Sequence, residues 1–185
     1  FDYTRWEGKH DVYTSAEIRC AQDELSHDEN VYMISIGDSG EMYDIHPRNK
    51  SVVGKRLANC ALSVLYGEDI SWKSPRFNRA VRKDGVIRVY FDDTYGGLLT
   101  NQSPILNMEL KYGDKWKPVM FWIENDFVYT DIEKESEEKR AEFKEMIENA
   151  TAIRYCYEDW YVTNIFSRAG LPAIPFCDKE IVDAF

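Results

Sequence analysis

The chain has 185 residues, of which 44% are apolar and 14% aromatic, and it carries a formal net charge of −10. Enough apolar mass is present for a packed core, which excludes wholesale disorder, and the length fits one large domain or two small ones. The acidic balance makes nucleic acid a poor partner, because a phosphate backbone would be repelled; a neutral or weakly charged substrate fits better.

No stretch approaches the roughly 18 apolar residues of a membrane span, so no membrane partner is expected. The chain opens Phe1-Asp2-Tyr3-Thr4-Arg5-Trp6, without an initiator Met and without the pattern of a signal peptide. It reads as a piece of something longer, and secreted and cytoplasmic locations both stay open. Cys20, Cys60, Cys156 and Cys177 match no zinc spacing. They are read as buried thiols, with a Cys156–Cys177 pair as the one bridge worth considering. No metal and no cofactor are expected.

In chain order, residues 15–25 read as a helix with Ser15 as N-cap. Residues 31–36 (VYMISI) read as a strand buried on both faces, ending in the loop Gly37-Asp38-Ser39-Gly40. A polar loop runs through Pro47. A second helix follows over 51–66, with Val53, Leu57, Cys60, Ala61, Val64 and Leu65 as its stripe and Gly67 as its stop. Helix, buried strand, loop and helix are the grammar of an open α/β sheet.

The pattern changes near 68–75. Residues 86–91 read as a strand after an Asp84-Gly85 hairpin turn, and 96–99, 105–112, 116–122 and 126–129 continue as short strands. Eight acids and four bases between Asp131 and Asn149 surround the thin apolar line Phe143, Met146 and Ile147, which predicts a surface helix over 132–149. Residues 151–157 return to strand. The tail 170–176 is too proline-rich for regular structure and is expected to lie extended against the rest.

Chemistry concentrates at one histidine. His10 and His27 sit in polar stretches and read as surface residues. His46, in Asp44-Ile45-His46-Pro47, follows the strand and precedes the long helix, where open α/β sheets bind ligands. A general-base histidine needs a carboxylate on Nδ1, and Asp44 and Asp38 are both at hand. Ser39 in Gly37-Asp38-Ser39 imitates an esterase nucleophile block, but that block normally precedes the catalytic histidine by far more than seven residues. Ser39 is therefore set aside, and no Gly-x-Ser-x-Gly elbow occurs. Gly96-Gly97 reads as a β-turn rather than an anion loop.

The run Asp44-Ile45-His46-Pro47-Arg48-Asn49-Lys50, followed by Val53-Gly54-Lys55-Arg56-Leu57-Ala58, resembles the histidine block of the sialate O-acetylesterase family, SGNH-type hydrolases of acetylated sugars. Ile18-Arg19 with Ala21-Gln22, and Ile34-Ser35-Ile36-Gly37-Asp38, resemble the elements before that block. Ala152-Ile153-Arg154-Tyr155 with Trp160, then Asn164-Ile165-Phe166 and Gly170-Leu171-Pro172-Ala173-Ile174-Pro175-Phe176, resemble its closing block.

The resemblance implies an α/β fold: residues 1–70 as the C-terminal piece of a flavodoxin-like SGNH hydrolase domain, and 71–185 as an antiparallel β module with one inserted helix. It implies a serine hydrolase releasing acetate from acetylated sugars, with His46 as base and Asp44, or alternatively Asp38, as its acid. Many relatives carry Asp-x-x-His, but position 43 here is Tyr43. The nucleophile and oxyanion donors would lie upstream of Phe1, so the partners implied are an acetylated sugar and the missing N-terminal part, and the chain alone would be inactive. Acetyl xylan esterase activity in the same superfamily is the nearest alternative. From a different class, a non-catalytic sugar-binding β module is the rival reading: Trp72, Trp116, Trp122 and Trp160 would either stack on sugars or fill a sandwich core.

Overall fold

A computed structural model describes residues 13–46 and 48–184; His10 and Pro47 lie outside them. The elements are α1 (Thr14–Leu25), α2 (Lys50–Tyr66), β1 (Arg76–Lys83), β2 (Val86–Asp92), β3 (Leu98–Leu99), β4 (Met108–Tyr112), β5 (Lys115–Pro118), β6 (Trp122–Glu124), β7 (Phe127–Tyr129), α3 (Glu137–Asn149), β8 (Ala152–Tyr155), β9 (Phe166–Ser167) and β10 (Phe176–Asp183). The architecture is mixed α/β. Eight strands form one sheet in the order β5-β4-β8-β10-β1-β2-β7-β6, and β3 pairs with β9 separately.

The β1–β2 hairpin turns on Asp84 and Gly85, both at positive φ (53° and 72°). Such a pair suits a primed two-residue turn, whose twist matches the flanking strands. Along β2, Ile87, Val89 and Phe91 alternate inward and join Phe121, Val128, Ile147, Ile153 and Tyr155 in the core. Helix α3 buries Phe143, Met146 and Ile147 and leaves its charges outside, as the thin stripe predicts.

The strand at the end of the chain, β10, was not expected from the pattern. β10 lies inside the sheet, parallel to β1 and antiparallel to β8. The segment before it, 171–176, is buried throughout, and Ala173 and Ile174 donate to the carbonyls of Ile165 and Pro75. The expected extended tail is thus a core-crossing segment that continues as a strand.

The segment 31–36 departs from expectation in the other direction. It pairs with no strand among the described residues, and Val31, Tyr32 and Ile36 are exposed. An apolar run becomes a sheet strand only where a neighbour supplies its ladder partners. On α2 the stripe behaves alike: only Cys60 is buried, while Leu57 and Leu65 face outward. The expected N-cap of α1 also moves. Thr14 opens that helix, and the Ser15 N–H in its first turn donates to Asp159 Oδ1 at 2.5 Å. Gly67 ends α2 in the left-handed conformation, at φ 73°.

All four tryptophans named above are half-buried rather than core residues. Arg154 lies 4.5 Å from the Trp116 ring, Lys134 lies 3.8 Å from Trp122, and Tyr32 meets Trp72 edge-on. Cys60 and Cys156 are buried, as expected, but Cys20 and Cys177 are half-exposed, and all four are free thiols. His27 is exposed yet engaged, with Arg76 Nη1 3.1 Å from its Nε2.

Candidate functional site

The loop between the 31–36 segment and α2 is tied down by its own acids. Glu41 and Asp44 form an isolated bridge, and Glu41 Oε1 accepts from the Arg48 N–H at 2.9 Å. Asp44 Oδ1 accepts the backbone N–H of His46 at 2.7 Å. Such a side-chain turn fixes the backbone two residues on. His46 itself is exposed.

Asp38 takes a different partner. Arg56 on α2 grips it with two parallel bonds, Nη1–Oδ1 at 2.6 Å and Nη2–Oδ2 at 2.7 Å, and donates also to the Ser35 carbonyl at 2.8 Å. A fork-to-fork pair of this kind is among the strongest side-chain links. It clamps the end of the 31–36 segment to α2. Ser39 donates its hydroxyl to the Ile36 carbonyl at 2.9 Å and its N–H to the same oxygen at 3.0 Å, which closes the turn. Asp44 and His46 are thus brought together through the backbone, while Asp38 is drawn to Arg56.

Beside this loop lies a cavity of about 310 Å³, between the 31–40 segment, α1 and the closing block. Its lining includes Arg19, Ser35, Gly37, Asp159, Trp160 and Tyr161. The Arg19 guanidinium sits 4.7 Å from the centre of the Tyr161 ring and donates to the carbonyls of Glu158 and Cys156. Burial pushes the Tyr161 phenol well up, against the pull of Arg19, so it stays a neutral donor. Burial also raises Glu158, with Glu109 adding to it.

Arg56, Asp159 and Tyr161 are the structural residues here that pattern reading missed. Arg56 had a signal, since it lies inside the histidine block and an arginine one turn into a helix can reach back to a strand-end acid. Asp159 and Tyr161 had none in their own neighbourhood, because their partners are more than a hundred residues away. Among the described residues, no group of three or more His, Cys, Asp or Glu is arranged for a metal ion, and no helix is long and apolar enough to cross a membrane.

No family model and no curated protein matches the chain. Among solved structures, the crystal structure of a carbohydrate acetylesterase from Xanthomonas citri is similar over 92% of this chain, with a TM-score of 0.73 and 26% sequence identity. The chain spans 38% of the length of that protein. Nearly all of it is therefore similar, in fold and sequence, to one part of a carbohydrate acetylesterase.

Proposed function

We propose that the chain is the C-terminal part of a serine-type carbohydrate O-acetylesterase and that His46 is its general base. The likeness to the Xanthomonas citri acetylesterase carries this reading. The resemblance of the run 44–50 to a histidine block supports the role of His46, which is exposed on its loop and does not line the cavity. A serine from the remainder of the enzyme attacks the acetyl carbonyl, His46 takes its proton, and water then releases acetate. Asp44 is the preferred acid, because Asp38 is already committed to Arg56.

Residues 1–70 are assigned to the flavodoxin-like SGNH domain and 71–185 to the accessory β module. The unpaired 31–36 segment and the outward Leu57 and Leu65 fit a sheet whose other strands come from that remainder. The substrate class is an acetylated sugar, sialate-type first and acetylated xylan second.

The test is acetate release from 4-nitrophenyl acetate, O-acetylated sialic acid and acetylated xylan by the intact protein that carries this segment. Replacement of His46 by Ala should lower kcat by roughly three orders of magnitude or more. Near-normal turnover in that variant would sink the assignment, and residues 1–185 alone should release no acetate.

A further inference from the structure

Trp160 differs from the other three tryptophans named above. Trp72 meets Tyr32, Trp116 meets Arg154 and Trp122 meets Lys134, but among the described residues no ring or cation covers Trp160. It is half-buried, lines the cavity of about 310 Å³ and stands over Gly40, where an added Cβ would lie 3.5 Å from Cζ3. Its chain neighbour Asp159 is only 4% exposed and accepts the Ser15 N–H on Oδ1. One turn further along α1, Arg19 donates through Nη2 to the carbonyls of Glu158 and Cys156. Ser15 and Arg19 share a helix face, and that face meets the segment 156–159. Each side of this seam keeps one buried polar atom, Asp159 Oδ2 and Arg19 Nε, without a hydrogen-bond partner among the described residues. Both residues line the cavity. A buried polar atom without a partner is costly, so two in one seam call for a ligand that satisfies both.

The pair selects the chemistry of that ligand. A cation would be attracted by Asp159 and repelled by Arg19, and an anion the reverse, so a neutral group fits best. The carboxylate oxygen accepts and the guanidinium N–H donates; a hydroxyl does both and can satisfy either atom. Met33, Ile34 and Ile174 make the rest of the wall apolar, and the uncovered indole offers a flat face. Hydroxyls along an edge and C–H groups on a face are the two surfaces of a sugar ring, and the volume suits a single one.

We propose that this cavity binds one uncharged sugar ring, stacked on Trp160 and hydrogen-bonded through its hydroxyls to Asp159 and Arg19. The ring's place in an esterase substrate rests on the function proposed above; its binding does not. The ring held here is a neutral one, whichever sugar carries the acetyl group.

The test titrates the full 185-residue chain with the methyl glycosides of xylose, glucose, galactose and mannose, and with glucuronate as the charged counterpart. Nuclear magnetic resonance follows the tryptophan indole N–H signals, with Trp160→Phe identifying that of Trp160. At millimolar concentration at least one neutral glycoside should shift the Trp160 signal saturably, with glucuronate about tenfold weaker or more. Asp159→Asn keeps an acceptor for Ser15 but can turn the free oxygen into a donor, and it should weaken binding about tenfold. Trp160→Ala should abolish binding. No saturable shift with any neutral glycoside, a shift confined to another tryptophan, equal affinity for glucuronate, or unchanged affinity in Asp159→Asn would each overturn the proposal. The first three outcomes are read on the unaltered chain, so they decide even where a variant fails to fold. Acetate release by the intact protein is a separate readout: ring binding without it overturns the esterase reading and leaves this site, and acetate release without ring binding does the reverse.

Discussion

Tyr161 packs so closely on Gly37 that a Cβ added at position 37 would lie 2.3 Å from the phenolic oxygen and 2.9 Å from Cζ. The residue before Asp38 is thus glycine because the closing block leaves no room for a side chain. Gly37→Ala must push the ring aside, and overpacking of this kind costs about 1–3 kcal/mol. Removing the oxygen with Tyr161→Phe leaves the ring carbon as the nearest atom, so the alanine should cost less in that background. Urea unfolding of the four proteins in the cycle checks this, and strictly additive effects would show that the two residues are uncoupled.

Asp159 acts over the same seam. Its Oδ1 accepts from Ser15 in the first turn of α1, where orphan N–H groups and the helix dipole favour an acid. Asp159→Ala should destabilise the chain by about 1–2 kcal/mol, and Asp159→Asn, which keeps the acceptor, by less. Thermal unfolding followed by circular dichroism distinguishes the two; equal losses would point away from capping.

Arg154 is the charged centre of β8. It is buried, its Nε lies 2.6 Å from Glu109 Oε2, and Trp116 and Tyr157 flank the guanidinium at 4.5 and 4.8 Å. Arg154→Ala removes both the pair and the stacking and should cost about 3–5 kcal/mol. Lysine keeps the charge but not the planar fork, so Arg154→Lys should recover only part of that loss. Full recovery in chemical denaturation would mean that charge alone matters here.

These residues show where pattern was informative. The Asp84-Gly85 turn, the α2 stop at Gly67 and the α3 stripe are local, and each follows from chemistry within a few residues. The strand β10 was hidden because Asp178, Lys179 and Glu180 break the apolar alternation and the bulge shifts the period. The 31–36 run has strand chemistry, yet a strand is made by its neighbours, and the described residues provide none. At the loop, Asp44 and His46 were legible together because they stand two positions apart in the chain. The grip of Arg56 on Asp38 depends on how α2 lies against the segment before it, which no periodicity encodes.

Two carboxylates should move stability with pH in opposite directions. The Arg82 hydrogen bond holds Asp183 below the usual carboxylate range, so its contribution is present above the unfolded pKa and is lost as pH falls through the folded one. Glu158 is raised by burial, with Glu109 adding to it. The folded state then binds its proton more tightly, and stability falls as pH rises from the ordinary carboxylate range through the raised value. Glu158→Gln should flatten that decline, and Asp183→Asn should flatten the loss on the acid side. Unfolding midpoints measured between pH 3 and pH 7 check both slopes, and unchanged profiles would refute the two attributions.

The choice of acid for His46 gives the sharpest separation of roles. Asp44 already sets the backbone at His46, whereas Asp38 is held by Arg56 with both oxygens. If Asp44 orients the imidazole, Asp44→Asn in the intact esterase should lower kcat by about four orders of magnitude, as loss of the correct tautomer does in serine hydrolases. Asp38→Asn breaks a part-buried ion pair instead, so its main effect should be on stability, with kcat reduced less than about tenfold. Arg56→Ala should imitate Asp38→Asn in stability, because each removes one side of the same link. Parallel measurement of kcat and of unfolding midpoints tests the pattern. A large loss of kcat on Asp38→Asn, with Asp44→Asn near normal, would move the acid to Asp38 and leave Asp44 a turn residue.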